Sequence, residues 1–316
     1  MTSTTMTPQI PQVNLTFSSS ELSTRKRIDY LFMFFGLLSL FFCILTLTAL
    51  VVDLAMTGVP RISVEFLTSF PSRFPEKAGI LSAWVGSLCV MLVTAFTAIP
   101  IGIGAGIYLE EYAPKNFFTA FIELNITNLA GIPSITFGLM ALGLFVHEFK
   151  LGQSIQTAGL TLGLLVLPII IVTTRESLRA IPSTIREAAY AMGCSRWQVI
   201  KYHLLPYSMG GVLTGVIIAL SRAIGETAPL VTIGALTFIA FLPASPVSAE
   251  APYLSFQWLS DPFTVLPIQM FNWISRPQTE FHVNAAATGF VLLVLTLVLN
   301  GVAIYIRYQF RKKIRW

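Results

Sequence analysis

Arg222 and Glu226 are the residues of this 316-residue chain whose types and spacing most clearly indicate chemistry. Residues four apart lie on the same face of a helix, so the two side chains can contact each other. Arg222 follows Tyr207 by 15 residues, which is about 22 Å along a helix, and the apolar core of a bilayer is only about 30 Å thick. Ionisable groups at such depth are costly in lipid and usually face a bundle interior or a water-filled path.

The chemistry that suits this pair is anion binding. An arginine guanidinium is a planar fork that can donate two hydrogen bonds to a tetrahedral oxyanion, and it keeps its charge when desolvated. Glu226 would neutralise Arg222 between passages and keep an anion from binding too tightly for a conduit. A structural ion pair that joins two helices is the alternative, and the spacing alone does not exclude it.

The composition is that of a helical membrane protein. Hydrophobic residues make up 54% of the chain and charged residues 11%, and the mean hydropathy is +0.74. The net charge of +5 does not indicate nucleic-acid binding, because the basic residues flank apolar runs, where they set membrane orientation. The three cysteines are far apart and form no pattern typical of a disulfide framework or a zinc site.

Uncharged runs predict the membrane spans, since about 20 apolar residues suffice to cross. Five runs are long enough: residues 31–52, 80–109, 124–146, 151–174 and 283–306. A sixth region, residues 207–242, is interrupted by Arg222, Glu226 and Pro229, and it could form one broken span or two short ones. We take it as one span broken near Arg222–Pro229, which predicts an all-α integral membrane protein with six transmembrane helices.

The basic residues decide between six and seven spans. With six spans both termini share one side, and fourteen basic residues lie there against five on the other. The positive-inside rule then places both termini in the cytoplasm. The fourteen are Arg25, Lys26, Arg27, Lys115, Arg175, Arg179, Arg186, Arg196, Lys201, Arg307, Arg311, Lys312, Lys313 and Arg315.

These assignments divide the chain into four parts. Residues 1–27 are predicted to be a largely disordered cytoplasmic tail, and residues 28–79 the first transmembrane helix with a periplasmic loop. Residues 80–306 form the main transmembrane domain, and residues 307–316 a basic cytoplasmic end. Within the domain, residues 243–282 form a periplasmic segment predicted to lie on the membrane surface and meet a partner through the aromatic residues Phe256, Trp258, Phe271 and Trp273.

Residues 175–206 form the longest cytoplasmic segment. Thr184 with Glu187, and Ser195 with Gln198, have the spacing of capping boxes, so two short helices are predicted. Gly193 between them can adopt the left-handed conformation that ends the first helix. The second helix would present an apolar stripe for docking on a partner, formed by Trp197, Ile200 and Leu204. The alternative is a re-entrant loop packed on its own bundle.

The same segment resembles the EAA loop of binding-protein-dependent ABC importer permeases. The matching residues are Glu187, Ala188, Ala189, Gly193, Leu205 and Pro206. The resemblance implies a type I permease fold in which this segment, here called the coupling loop, inserts into a groove of a cytoplasmic ATPase. His203 departs from the family pattern, which usually has an apolar residue there.

Further segments resemble the phosphate-specific (Pst) permeases. These are residues 100–113, 131–135 and 221–229, while residues 271–278 favour the PstA-type group over the PstC-type. The resemblance implies a phosphate path near Arg222 and Glu226, shared with a PstC-type permease. It also implies PstB-type ATPase subunits that bind ATP and Mg and a periplasmic PstS-type phosphate-binding protein. The chain itself would contact membrane lipid, bind no cofactor and carry no catalytic or metal-ligating residue.

Three glycines and one proline in the predicted spans indicate helix packing and bending, not ligand binding. Gly102, Gly104 and Gly106 do not have the spacing of a dinucleotide fingerprint, and they suit close helix packing. Pro133, inside the third span, predicts a kink.

No phosphate-binding G-x-x-x-x-G-K-[ST] loop is present, so ATP would be hydrolysed by another chain. An intramembrane enzyme is a weak alternative, because the three histidines belong to different segments. A proton-coupled carrier is a stronger alternative, but it would have no ATPase for the coupling loop to dock on. Another oxyanion, such as molybdate or sulfate, could replace phosphate.

Overall fold

The computed structural model describes residues 19–245, 253 and 255–313, and every regular element in that part of the chain is a helix. The α-helices are α1 (Ser19–Gly58), α2 (Val64–Thr68), α3 (Leu81–Ile107), α4 (Phe117–Leu129), α5 (Ser134–Ala141), α6 (Ile155–Arg179), α7 (Ser183–Ala191), α8 (Arg196–Val199), α9 (Leu205–Ile224), α10 (Ala228–Thr232), α11 (Leu266–Ile274) and α12 (Thr279–Lys313). Wider π-helical turns follow α3, α5 and α8 at Tyr108–Tyr112, Leu142–Glu148 and Ile200–Leu204.

Five helices of the described chain are long and apolar enough to cross a membrane, and a bent pair of helices makes a sixth span if the pair crosses as one. Five are single stretches of helix: Lys26–Arg61, Leu81–Tyr112, Ile155–Arg179, Arg196–Ile224 and Thr279–Phe310. The sixth is a pair, Phe117–Leu129 and Ser134–Glu148, bent by 107°. The predicted all-α architecture with six spans is confirmed. The kink predicted at Pro133 in the third span is confirmed, because Gly131 and Pro133 interrupt the helix between α4 and α5.

The chain divides into two compact units, and the first is residues 1–53. Its described part is helix α1, whose apolar side chains are exposed, as Phe32 (75%) and Leu47 (63%) illustrate. Helix α1 begins at Ser19, so it includes residues 19–27 of the predicted tail. Residues 20–27 contain good helix formers such as Glu21 and Leu22, and they continue the helix of the span. Residues 1–18 lie outside the described part.

The second unit, residues 54–316, is built around α3, α6 and α9. Small residues let these helices approach closely. A side chain on Gly102 would meet Ile170 of α6 at 2.7 Å, and one on Gly106 would meet Thr174 at 2.7 Å. Both glycines therefore have the predicted packing role. Gly104 has open space around it, so the prediction of close packing is wrong there.

Helix α11 lies in the segment predicted to meet a partner at the membrane surface. Its residue Trp273 is fully buried, with ring centroids 6.1 Å from Phe66 and 6.3 Å from Phe281. Phe271, by contrast, is 58% exposed. The prediction that Trp273 contributes to a docking surface is wrong, because α11 is amphipathic and buries this side chain against α2 and α12. Residues 246–252 and 254 of the segment are not described.

Candidate functional site

Arg222 lies in the last turn of α9, where the helix gives way to the short helix α10. The backbone N–H groups of Gly225 and Glu226 donate to the carbonyl groups of Arg222 (3.3 Å) and Ala223 (3.2 Å), which tightens the chain into a turn. Pro229 then occupies the first turn of α10, where its missing N–H costs nothing. The predicted break near Arg222–Pro229 is confirmed, and it occupies residues 225–227.

The side chains of Arg222 and Glu226 form the expected pair. Nε of Arg222 donates to Oε1 of Glu226 at 3.3 Å, and the two side chains are 42% and 18% exposed. Nη1 and Nη2 of Arg222 donate no hydrogen bond to any described residue. Because a guanidinium carries five N–H donors, most of the hydrogen-bonding capacity of Arg222 is available to a ligand.

Helix α9 shows why those donors remain available. Ala219 and Ala223 are 0% and 1% exposed on the face that packs against the neighbouring helices. On the opposite face, Ile218 is 56% exposed and Arg222 also faces outward. The described part of the chain therefore leaves the Arg222 face of α9 uncovered.

The two interrupted spans pack together. Gly138 of α5 lies so close to α10 that an added Cβ would come within 2.7 Å of Cα of Pro229 and overlap the side chain of Thr232. Pro133 starts α5, and its carbonyl oxygen accepts a hydrogen bond from the hydroxyl of Thr136 at 2.7 Å. The break in α9 and the bend before α5 thus belong to one packed unit.

The first five residues of the coupling loop belong to α6, and its first separate helix is α7, which carries Glu187, Ala188 and Ala189 of the EAA signature. Glu187 and Ala188 are exposed, while Ala189 is buried. Gly193 has φ +85°, Gly193 N donates to Tyr190 O at 2.9 Å, and Cys194 N donates to Ala189 O at 3.1 Å. These are the two bonds of a Schellman motif. The left-handed helix end predicted at Gly193 is confirmed.

One of the two predicted capping boxes is present. The hydroxyl of Ser195 accepts from Gln198 N, and Oε1 of Gln198 accepts from Ser195 N at 2.7 Å. The box predicted from Thr184 and Glu187 is wrong. Helix α7 begins two residues earlier than that box requires, at Ser183, and its N-cap is Pro182, which has no side-chain acceptor.

The second helix of the coupling loop is not a separate docking element. Helix α8 continues through the π-helical turn into α9, and Leu205 and Pro206 are the first residues of α9. Ile200 and Leu204 are 1% and 0% exposed, whereas Trp197 is 59% exposed. The predicted apolar docking stripe is therefore wrong for Ile200 and Leu204, which pack on this chain's own bundle, as the alternative interpretation holds.

Sequence reasoning missed a cluster of ion pairs that joins the turn after α3 and the end of α6 to α4 and α7. Arg175 pairs with Glu123 at 2.7 Å, Arg179 with Glu110 at 3.0 Å, and Arg186 with Glu111 at 2.9 Å. A signal was present, because Glu110 and Glu111 directly follow an apolar run and the three arginines occupy the start of the coupling loop. The partners are about 50 to 75 residues apart, so only the fold brings them together.

Comparison with known proteins places the chain in a family. Residues 98–316 match the family described as binding-protein-dependent transport system inner membrane component. The chain is 32% identical over 297 residues to the phosphate transport system permease protein PstA of Pasteurella multocida (strain Pm70), covering 94% of this chain and 99% of that protein. It is 31% identical to the probable ABC transporter permease protein YqgI of Bacillus subtilis (strain 168), covering 82% and 88%.

Solved structures share the fold. A bacterial ABC transporter involved in the import of the acidic polysaccharide alginate matches with a TM-score of 0.61 and 14% identity, over 92% of this chain and 99% of that one. An inward-facing form of the MetNI methionine ABC transporter matches with a TM-score of 0.53 and 18% identity, over 73% and 94%. At these identities the likeness concerns the fold alone.

Proposed function

The chain belongs to the family of binding-protein-dependent transport system inner membrane components, and we propose that it is a membrane-spanning subunit of an ATP-driven phosphate importer. It acts as a transport subunit, not as an enzyme. The observation that carries this proposal is Arg222, whose Nη1 and Nη2 donate to no described residue and which faces outward at the break of α9. An anion passing that face would find a fixed positive charge with free donors.

Phosphate suits this site for two reasons. Relatives over most of the chain are named phosphate transport system permease proteins. In addition, phosphate is protonated near neutral pH, so it can both accept hydrogen bonds from Arg222 and donate one to the carboxylate of Glu226. Sulfate has no proton to donate, and sites that bond a ligand's hydroxyl group discriminate strongly against ligands that lack it. Glu226 therefore favours phosphate over sulfate.

A second permease subunit would complete the path. Arg222 is followed in the chain by α10, which packs on α5, and Ile135 and Leu139 of α5 are 47% and 57% exposed. A PstC-type subunit covering this surface would enclose Arg222 between the two chains and exclude lipid from the path. Enclosure also strengthens the attraction between the guanidinium and an anion, since the local dielectric falls.

The coupling loop would engage the ATPase. Helix α7 presents Glu187 and Ala188 to solvent, and Met192 next to the Gly193 turn is 85% exposed. A PstB-type subunit that binds ATP and Mg would dock here, so this chain needs no cofactor of its own. A periplasmic PstS-type protein would deliver phosphate from the other side. Both termini would lie in the cytoplasm, and labelling of single cysteines placed near each end tests that topology, which a periplasmic carboxyl terminus would contradict.

Uptake of labelled phosphate tests the proposal. Vesicles containing this chain with its partner permease, ATPase and binding protein are expected to accumulate phosphate in the presence of internal ATP. Excess unlabelled phosphate should block this uptake, and sulfate or molybdate should compete weakly. Stronger competition by molybdate or sulfate would reassign the substrate. Uptake driven by a proton gradient without ATP would support a proton-coupled carrier instead.

A further inference from the structure

Arg186 of α7 binds three elements at once. Its Nε and Nη2 donate to Oε1 of Glu111 at 3.2 and 2.9 Å. Its Nη1 donates to the carbonyl oxygen of Ile181 and its Nη2 to that of Leu178, both at 2.9 Å. The guanidinium therefore joins α7 to the π-helical turn that ends α3, to Leu178 in the last turn of α6, and to Ile181 in the turn that follows α6.

The carboxylate at the other end of this contact is held inside the protein. The side chain of Glu111 is 7% exposed and that of Arg186 is 20% exposed. Charge-assisted hydrogen bonds with such burial are stronger and more directional than neutral ones. The contact thus fixes the register of α7 against α3 and α6, which apolar packing alone does not do.

Other contacts of α7 with the bundle are apolar. Ile185 and Ala189 pack against a small cluster that includes Leu178, Ile181 and Ile107. Apolar surfaces attract each other without a preferred direction, so they can slide. Among the described residues, Arg186 and Glu111 form the only ion pair that joins α7 to a membrane span.

We propose that the hydrogen-bonded contact of Arg186 with Glu111, Leu178 and Ile181, here called the Arg186 bridge, transmits displacement of the coupling loop to α3 and α6. In this role Arg186 and Glu111 are positioning residues that touch neither phosphate nor ATP. The inference rests on the proposed function, since it assumes that an ATPase moves α7. When α7 moves, the Arg186 bridge makes α3 and α6 move with it.

Arg179, at the end of α6, provides a matched control. Arg179 pairs with Glu110, the neighbour of Glu111, and so joins the same turn of α3 to α6. It does not contact α7, and its side chain is 55% exposed. Removing the charge of Arg179 perturbs the same ion-pair region without cutting the connection to the coupling loop.

The first experiment measures coupling in vesicles that contain the complete importer. Arg186→Gln is expected to lower phosphate uptake per ATP hydrolysed by about tenfold or more, because charge-assisted hydrogen bonds worth at least about 1.4 kcal/mol are lost. Basal ATPase activity should persist. Arg186→Lys, which keeps the charge but not the fork, should give an intermediate ratio. Arg179→Gln should keep the wild-type ratio.

The second experiment follows the motion itself and needs no transported anion. Spin labels are placed on cysteines at exposed Thr184 of α7, which has no role in the proposed ATPase contact, and at exposed Lys115, beyond the turn of α3. The three native cysteines are replaced by alanine. In the wild-type importer the distance between labels should stay constant when a non-hydrolysable ATP analogue binds, because the two elements move together. In Arg186→Lys and Arg186→Gln it should change.

The outcomes separate this inference from the proposed function. A constant label distance and a wild-type uptake ratio in assembled Arg186→Lys and Arg186→Gln importers would overturn the role of the bridge. An equal loss of coupling in Arg179→Gln would also overturn it, since that pair does not reach α7. A wild-type complex with the expected label behaviour but no phosphate uptake would reject the proposed substrate and leave the bridge supported.

Discussion

Arg186 in the coupling loop donates four hydrogen bonds to its own chain, whereas Arg222 at the break of α9 donates one. Glu111, the partner of Arg186, is 7% exposed, and Glu226, the partner of Arg222, is 18% exposed. The side chain of Arg222 is also about twice as exposed as that of Arg186, at 42% against 20%. Arg186 therefore has four of its five N–H donors engaged within the described chain, whereas Arg222 has one.

The different hydrogen bonding and exposure of Arg186 and Arg222 suit the two arginines to different roles. An arginine such as Arg186, with most of its N–H donors bonded to neighbouring helices, can fix those helices relative to one another but has few donors left for a ligand. An arginine with spare donors on an uncovered face suits transient anion contact, because it needs no rearrangement to bind. Under the two proposals made above, movement would be transmitted at Arg186 and phosphate would be contacted at Arg222, so variants at the two regions should fail in different ways.

The largest effect is expected at Arg222. Arg222→Gln should lower phosphate uptake by about 100-fold or more, because two charge-assisted hydrogen bonds, each worth about 1.5–3 kcal/mol, are lost. Assembly and basal ATPase activity should remain. Arg222→Lys, a matched control that keeps the charge, should lose less. Transport by Arg222→Gln at the wild-type rate would show that this arginine is not needed in the path.

A smaller effect on uptake is expected at the turn after α7. Gly193→Val should lower phosphate uptake per ATP hydrolysed by about tenfold. A β-branched residue in the left-handed region costs at least about 1–2 kcal/mol, and the resulting strain would displace the turn. Nothing lies within 4 Å of an added Cβ, so backbone strain is the sole cause. Gly193→Asn should give nearly the wild-type phosphate uptake per ATP hydrolysed, because asparagine tolerates the left-handed conformation. Equal coupling in Gly193→Val and the wild type would rule out a mechanical role for the turn.

The contact between α5 and α10 provides the next test. Gly138→Ala places a Cβ against Pro229 and Thr232, and such overpacking costs about 1–3 kcal/mol. Uptake should fall several-fold and the melting temperature of the complex should drop. Gly143→Ala, in the same bent span but with open space around it, should change neither quantity. If both variants behave alike, the packing of the two broken spans does not position the pathway.

The smallest effect is expected from the helix caps of the coupling loop. Ser195→Ala removes a capping box and should lower stability by about 1 kcal/mol, with uptake within about twofold of normal. Thr184→Ala should be silent, because Thr184 is not the N-cap of α7. Thermal unfolding of the two purified complexes compares them directly. A larger loss in Thr184→Ala than in Ser195→Ala would contradict the observed cap geometry.

Local signals in the sequence predicted local structure well. The Gly193 turn, the Ser195 capping box and the break after Arg222 each follow from one or two residues with strong backbone preferences. The six spans follow from hydropathy and charge. The match of residues 98–316 to the permease family agrees with the assignment made from the EAA signature.

Features that depend on contacts between distant segments were not predictable in the same way. Ile200 and Leu204 have the spacing of a docking stripe, but spacing cannot tell whether a partner or the chain's own bundle covers an apolar face. Trp273 was misplaced for the same reason. The pairing of Glu111 with Arg186 requires the turn of α3 to meet α7, and nothing in either local sequence encodes that meeting.

The most direct test of the account is phosphate uptake by the double variant Arg222→Gln, Glu226→Gln. Removing both charges leaves no unpaired ion, so a purely structural pair would be replaced without loss of function. We predict that the double variant assembles, hydrolyses ATP at the basal rate and transports no phosphate, because the cation on the anion path is missing. Wild-type uptake by a fully assembled double variant would contradict the account and leave Arg222 and Glu226 as a structural ion pair.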